Sequence, residues 1–324
     1  MAGFEMNTNT ELSRTSLWSA QLKTLLQDEL FAMKYVRMLD LPPDAGSSTF
    51  NIPSMGQAET ADFVEGARIK YNKFDTGNYQ FTIDQYKYSA NSISEKFKRD
   101  SFYANDVIAR FLPNQHRAIM VGVETRILSV ANSGQTASNL NAINGGNHRW
   151  VGSGTNGVIA LKDFAMAQYS LKKANVPLEN LVAIVDPSVV YTLQTQANIV
   201  NLLTPQPKWG DMISNVTPTG MRFAGFNLYG FDVYTSNYLP TGLTETVNSV
   251  SVSAGNGVAN FFFHAATDDT SPWVGAFTQM PTVYSEFDKD TQETEYLTIT
   301  EYGFKGDFRP ENLITVLTST DQVA

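Results

Sequence analysis

Apolar side chains recur at three- and four-residue spacing through residues 16–39, where Trp18, Leu22, Leu25, Leu26, Met33 and Val36 form one stripe. That spacing predicts an amphipathic helix. Leu17, Leu30 and Phe31 widen the stripe past one face, so the helix needs more than one surface to pack on. Periodicity alone favours burial in its own domain. Pro42 and Pro43 end the segment. Over residues 50–90 the period changes to two. Tyr79, Phe81 and Ile83 alternate with Gln80, Thr82 and Asp84, which predicts a half-buried strand. Tyr86 and Tyr88 fall on the opposite parity, and the slip predicts a bulge near Asp84-Gln85. Asp75-Thr76-Gly77-Asn78 supplies turn chemistry just ahead. Phe63-Val64 and Ile69-Lys70-Tyr71 are candidates for the partner strand. A two-stranded hairpin is marginal alone and must lie on something.

Helical spacing returns over residues 102–131, with Met120, Val123, Ile127 and Val130 in a stripe and Ile119 beside it. Pro113 either kinks this helix or occupies its first turn. Taken from 113 to 131, the helix is about 28 Å long at ~1.5 Å per residue. Residues 132–157 are rich in Asn, Gly and Ser and read as a subdomain boundary or surface loop. A helix follows with Leu161, Phe164, Ala165, Gln168 and Leu171 on one face, closing at Asn175-Val176-Pro177. Leu181-Val182-Ala183-Ile184-Val185 reads as a buried strand. Asp186-Pro187-Ser188 reads as an N-cap with proline at the first helical position. This helix–strand–helix order suggests an α/β-type subdomain. Residues 198–224 are irregular, and the last third is mainly strands.

The chain has 324 residues, 42% hydrophobic and 17% charged, which fits a folded core rather than a disordered chain. The net charge of -9 excludes a conventional basic nucleic-acid binder. There is no cysteine, hence no disulfide scaffold, thiolate metal site or cysteine nucleophile. The first basic residue is Arg14, so the start does not read as a signal peptide. No stretch approaches the ~18 apolar residues of a membrane helix. Gly152-Ser153-Gly154-Thr155-Asn156-Gly157 matches a dinucleotide-binding pattern. That reading requires a buried strand just before it, and residues 145–151 do not read as one. A loop running into a helix is expected instead, with no cofactor. His116, His148 and His264 show no ligand spacing, and His264 reads as a core histidine. Asp268-Asp269 and Asp288-Lys289-Asp290 read as solvated turns. No catalytic or metal-binding residue is assigned. Lys96, Lys98 and Arg99, interleaved with Phe97, form the densest basic patch and read as solvated or subunit-facing.

Four segments, in order, resemble the major capsid proteins of tailed bacteriophages with the Hong Kong 97-type shell fold. Phe81 to Ser89 is similar to the returning strand of that family's extended loop. Val182-Ala183-Ile184-Val185-Asp186-Pro187-Ser188 is similar to a segment of its axial domain. Gly225-Phe226-Asn227-Leu228-Tyr229-Gly230-Phe231-Asp232-Val233-Tyr234-Thr235-Ser236-Asn237-Tyr238-Leu239-Pro240 resembles its G-F-x-V-x-x-S-N-x-L-P strand. Tyr302-Gly303-Phe304-Lys305-Gly306-Asp307-Phe308-Arg309-Pro310-Glu311 resembles its closing Y-G-x-x-x-x-R-P-E segment.

The resemblance implies an α+β fold. Its parts are an N-terminal arm with a helix (1–49), an extended β-hairpin loop (50–92), a peripheral domain with a long spine helix (93–145), an axial α/β domain (146–257), and peripheral-domain strands with the C-terminus (258–324). It implies a non-enzymatic shell subunit, self-assembled in hexamers and pentamers around double-stranded DNA bound without sequence specificity. A portal and a separate scaffolding protein are expected partners, and no membrane. The virion capsid, assembled in the host bacterial cytoplasm, is the expected location. Trp18, Leu22 and Leu26 of the arm and Tyr79, Phe81 and Ile83 of the loop are the expected intersubunit contacts. The same fold could build an encapsulin-type nanocompartment around an enzyme cargo. A nucleotide-dependent oxidoreductase rests on the glycine loop alone.

Overall fold

The computed structural model describes residues 30–40, 49–55, 62, 65–66, 68, 76–100, 104–135, 141–195, 227–252, 255–265 and 270–320. In chain order these hold β1 (Val36–Met38), β2 (Thr49–Met55), β3 (Thr76–Thr82), β4 (Gln85–Ser94), α1 (Glu95–Asp100) and α2 (Ala104–Ser133). Next come β5 (Arg149–Val151), α3 (Leu161–Lys173), β6 (Leu181–Val185) and α4 (Pro187–Thr195). The rest is β7 (Asn227–Leu228), β8 (Phe231–Thr235), the small hairpin β9 (Thr246–Val247) and β10 (Val250–Ser251), β11 (Gly257–His264), β12 (Trp273–Asp288), β13 (Glu293–Lys305) and β14 (Leu313–Ser319).

Six strands form a central mixed sheet in the order β5-β14-β11-β6-β8-β7. Both of its faces are covered, which is why β6 and β11 are buried at every position rather than at alternate ones. Phe262 points to one side, into a cluster with Phe164 and Leu171 of α3 and Val189 and Leu193 of α4. Phe261 and Phe263 point to the other side, with Val123, Ile127 and Leu128 of α2 and Trp273 of β12. The expected helix–strand–helix is present. Asp186 caps α4, its carboxylate accepting the Ser188 N–H at 2.9 Å. Within residues 258–324, β11 pairs with β6 and β14 pairs with both β11 and β5.

The second sheet has the order β1-β12-β13-β4, and β2 pairs with β3 in a sheet of two. The helix α2 lies against β13, Gln115 contacting the Thr298 hydroxyl and the Tyr296 carbonyl. Its 30 residues make it about 45 Å long at ~1.5 Å per residue. It starts well before Pro113, which is an exposed interior residue and not part of the first turn.

Other expectations change. The helix over 16–39 does not continue to its predicted end: Ala32–Tyr35 is a short 3-10 turn and Val36–Met38 is a strand parallel to β12. Among the described residues the partner of β3 is Thr49–Met55, in antiparallel register from Thr49 opposite Thr82 to Met55 opposite Thr76, whereas the candidates Phe63-Val64 and Ile69-Lys70-Tyr71 lie outside the described residues. The parity slip at 84–85 is not a bulge. There the chain leaves one sheet for another, since β3 pairs with β2 whereas β4 pairs with β13.

Candidate assembly surfaces

Tyr79, Phe81 and Ile83 alternate as expected, but their cover lies within the same chain. Phe81 and Ile83 are 3% and 6% exposed, packed with Ala276 of β12 and with Leu39, Phe50 and Ile52. The Phe50 and Phe81 rings stack at 5.2 Å. The reason for assigning Phe81 and Ile83 to a neighbour, that a hairpin has no interior, therefore fails: the root of the hairpin sits on β12 and β13. Tyr79 is half-buried there too. Its hydroxyl donates to Asp307 at 2.8 Å, and the Lys305 ammonium lies 4.5 Å from its ring. Burial, reinforced by the Asp307 carboxylate, pushes the Tyr79 phenol well above its ordinary range.

Glycines make this crossing possible. A Cβ on Gly303 would lie 2.7 Å from both Ile83 Cα and Thr82 O. A Cβ on Gly306 would lie 2.7 Å from Ala131 Cα of α2. At these two points β13 and the turn after it pass beneath the hairpin and then against the long helix, with no room for a side chain. Beyond its root the hairpin projects, and Pro53, Ser54, Gly77 and Asn78 are exposed.

Trp18, Leu22 and Leu26 lie outside the described residues. The end of the same segment is held by its own chain. Glu124 of α2 accepts the Phe31 and Ala32 N–H groups at 2.9 and 2.8 Å through one oxygen. Burial pushes this carboxyl above its ordinary range. Ala32 and Val36 join the core beside α2, and Phe31 stacks on Tyr234 at 5.0 Å. Near the other end of α2, Arg149 of β5 makes a two-pronged pair with Glu245 at 2.7 Å per bond and also donates to Asn132. Arg149 is buried although the surrounding sequence read as a loop.

The glycine loop at 152–157 does follow a buried strand, β5, which sequence reading missed because three residues carry no period. The loop nevertheless closes on the protein itself. Asp163, in the first turn of α3, accepts the Ser153 and Ala160 N–H groups and the Trp150 indole N–H. The chain's own carboxylate thus occupies the position at this helix start that a phosphate would take in a dinucleotide site. His148 and His264 are buried against the carbonyls of Gly146 and Glu179 respectively, and His116 is exposed. Among the described residues no group of three or more His, Asp or Glu side chains converges on a common point. No helix among them is long and apolar enough to cross a membrane.

Sequence reasoning also missed a set of outward-facing aromatics. Tyr86 and Tyr88 of β4 are 59% and 69% exposed, and Tyr284 of β12 is 49% exposed. The parity slip was their signal: it turns β4 so that these tyrosines leave the face that Phe81 and Ile83 bury.

The fold matches that of phage capsid proteins. The sequence model of the family described as phage capsid protein matches residues 79–315. Among curated protein sequences none matches. The fold is shared with the capsid of cyanophage P-SCSP1u, with a TM-score of 0.67 at 14% identity over 95% of this chain and 93% of that one. The head of Helicobacter pylori bacteriophage KHP40 is similar with a TM-score of 0.66 at 10% identity over 99% of this chain and 100% of that one. Mycobacterium phage Che8 gives 0.64 at 16% identity over 93% and 95%. The chain belongs to the phage capsid protein family. It is a structural shell protein with the Hong Kong 97-type fold, in the role of a tailed phage's major capsid protein.

Proposed function

We propose that the subunit works by geometry alone, copies of it tiling in hexamers and pentamers into a closed icosahedral shell around double-stranded DNA. The observation that carries this is the β2–β3 hairpin, rooted on its own sheet by Phe81 and Ile83 while its far half stands clear of the body. A free-standing two-stranded ribbon gains stability by lying on a further surface, and in a shell the neighbouring copy supplies it. The arm that carries Trp18, Leu22 and Leu26 would act in the same way. We assign the unit of β4, β12, β13 and α2 to the peripheral domain and the six-stranded sheet with α3 and α4 to the axial domain. Rotationally related contacts then generate the rings. The net charge of -9 favours a wall that does not trap DNA through counterion release. On this reading the protein has no catalytic step. It assembles in the host bacterial cytoplasm with a separate scaffolding protein and a portal.

The test is electron microscopy and sedimentation of the purified protein, expressed alone and with its scaffolding partner. Closed shells of uniform size are expected. A chain that stays monomeric in both preparations would refute the reading. Shells that carry an enzyme cargo and never a portal would replace the phage head with a nanocompartment.

A further inference from the structure

The strand register defines the sheet face turned away from α2. Tyr88 pairs with Ile299, Ala90 with Leu297 and Ser92 with Glu295. Across β13, Tyr284 stands opposite Leu297, Glu286 opposite Glu295 and Asp288 opposite Glu293. The alternate residues Thr298 and Thr300 are fully buried, Thr298 against Gln115 of α2, so this set points the other way. The face is therefore a patch of exposed tyrosines over half-buried Ile299 and Leu297, bordered by carboxylates. Like charges directly opposite on neighbouring strands are unfavourable, and here two such pairs stand in succession. Among the described residues neither Glu286 nor Glu295 is in an ion pair, and Tyr86, Tyr88, Ala90 and Ser92 stand opposite Glu301, Ile299, Leu297 and Glu295 with no Lys or Arg among them, Lys87 having the other parity, opposite Thr300.

The complementary surface lies on α1. Lys96, Phe97 and Arg99 are exposed there. Ser94 caps the helix by accepting the Phe97 N–H. The Glu95 N–H donates to the Gln292 carbonyl, and Lys98 bonds both Glu95 and Thr294. Thr294 has the parity of Thr298, so α1 is tied to the α2 side of the sheet, away from the tyrosine face of its own copy.

We propose that the tyrosine face of one copy receives α1 of a second copy, Phe97 seated against Tyr88 and Tyr284 and Lys96 and Arg99 against Glu286 and Glu295. This rests on the shell-building reading. The two surfaces occupy different places on one chain, so the contact is head-to-tail, the kind that closes into rings. Apolar contact with the tyrosines supplies the buried centre, and the opposite charges set its register.

Three chains test it: Lys96→Glu with Arg99→Glu, Glu286→Lys with Glu295→Lys, and all four changes together. Each double reversal is expected to lower the sedimentable shell fraction about tenfold, since like charges facing each other in an interface cost several kcal/mol. The fourfold chain should recover to within about twofold of wild type, the coupling that marks residues in contact. A second measurement is independent of variants. Wild-type shells mixed from light and nitrogen-15 chains are treated with a carbodiimide, and a heavy–light peptide joining Lys96 to Glu286 or Glu295 is expected. Wild-type shells in which both reversals assemble normally, or in which that peptide is never heavy–light, overturn the contact alone. A wild-type chain that forms no shells overturns the shell-building reading and this contact with it.

Discussion

Replacing Glu124 by Ala isolates how the arm is fastened to the long helix. Two buried N–H groups, those of Phe31 and Ala32, share one oxygen of this carboxylate. Leaving a buried donor unsatisfied costs ~1–3 kcal/mol, so two of them give a gross loss of roughly 2–6 kcal/mol. The variant also removes a buried charge, whose desolvation opposes folding and raises its pKa. The net loss should fall near 2–3 kcal/mol, or roughly 5 °C in melting temperature for a chain of this size. Glu124→Gln keeps the acceptor and should lose less than about 1 kcal/mol at neutral pH. Its pH dependence has a definite sign. Because the folded-state pKa lies above the ordinary 4.5, the folded chain holds this proton more tightly than the unfolded chain. The associated stability is complete below pH 4.5 and is lost as pH rises through the folded value. Wild type should therefore lose ground to Glu124→Gln as pH rises from 4.5 to 7. Thermal unfolding of the unassembled subunit across that range measures this, and hydrogen exchange at Phe31 and Ala32 reports the local effect. An Ala variant melting within about 1 °C of wild type, with both amides still protected, would refute the fastening.

Three further outcomes follow from the same geometry. Gly303→Ala places a methyl against the backbone of Thr82 and Ile83 and should lift the hairpin from the sheet; loss of protection in β3 by hydrogen exchange, with β11 and β14 unchanged, is the expected readout. Arg149→Ala leaves the Glu245 carboxylate nearly buried without its cation and should cost about 3–5 kcal/mol in thermal unfolding, whereas a loss below about 1 kcal/mol would mean that water reaches the site freely. Removing residues 1–28 should leave a folded subunit that assembles poorly, whereas removing 1–40 also deletes Ala32, Val36 and β1 from the core and should destabilise the subunit itself, as circular dichroism would show.

What the sequence disclosed was local. The strand Leu181–Val185 and the Asp186 cap were legible because a buried run and a capping residue act over a few positions. The alternation at Tyr79, Phe81 and Ile83 was legible too, but its cover was not. That cover comes from Ala276 and from the bare backbone at Gly303, more than 190 positions away, and nothing near residue 80 announces it. The arm misled for a related reason. Met33 and Val36 keep helical spacing, yet the edge of β12 and the Glu124 carboxylate draw that backbone into a turn and a strand. Arg149–Val151 was missed because a three-residue strand is defined by its partner β14, over 160 positions further on. Of the expected contact residues, Phe81 and Ile83 are buried within their own chain, and Trp18, Leu22 and Leu26 lie outside the described residues. The outward tyrosines were signalled only by the change of parity.

Only Ile83 and Asp84 separate β3 from β4, and Asp84 is gripped by Arg126 of the long helix at 2.8 Å. So short a junction cannot act as a slack tether. It fixes the base of the hairpin to the helix, while Phe81, Ile83 and Tyr79 fix it to the sheet. Tyr79 and Phe81 are held on the body, so the part of β3 beyond them, Thr76–Asn78, reaches about 10 Å at ~3.3 Å per residue. A tilt of about 10° where the ribbon leaves the body then carries the far end of the strand through about 2 Å, under half a strand spacing. On the shell-building reading, copies of one sequence would then meet neighbours at different curvatures through a small change of angle where the ribbon leaves the body.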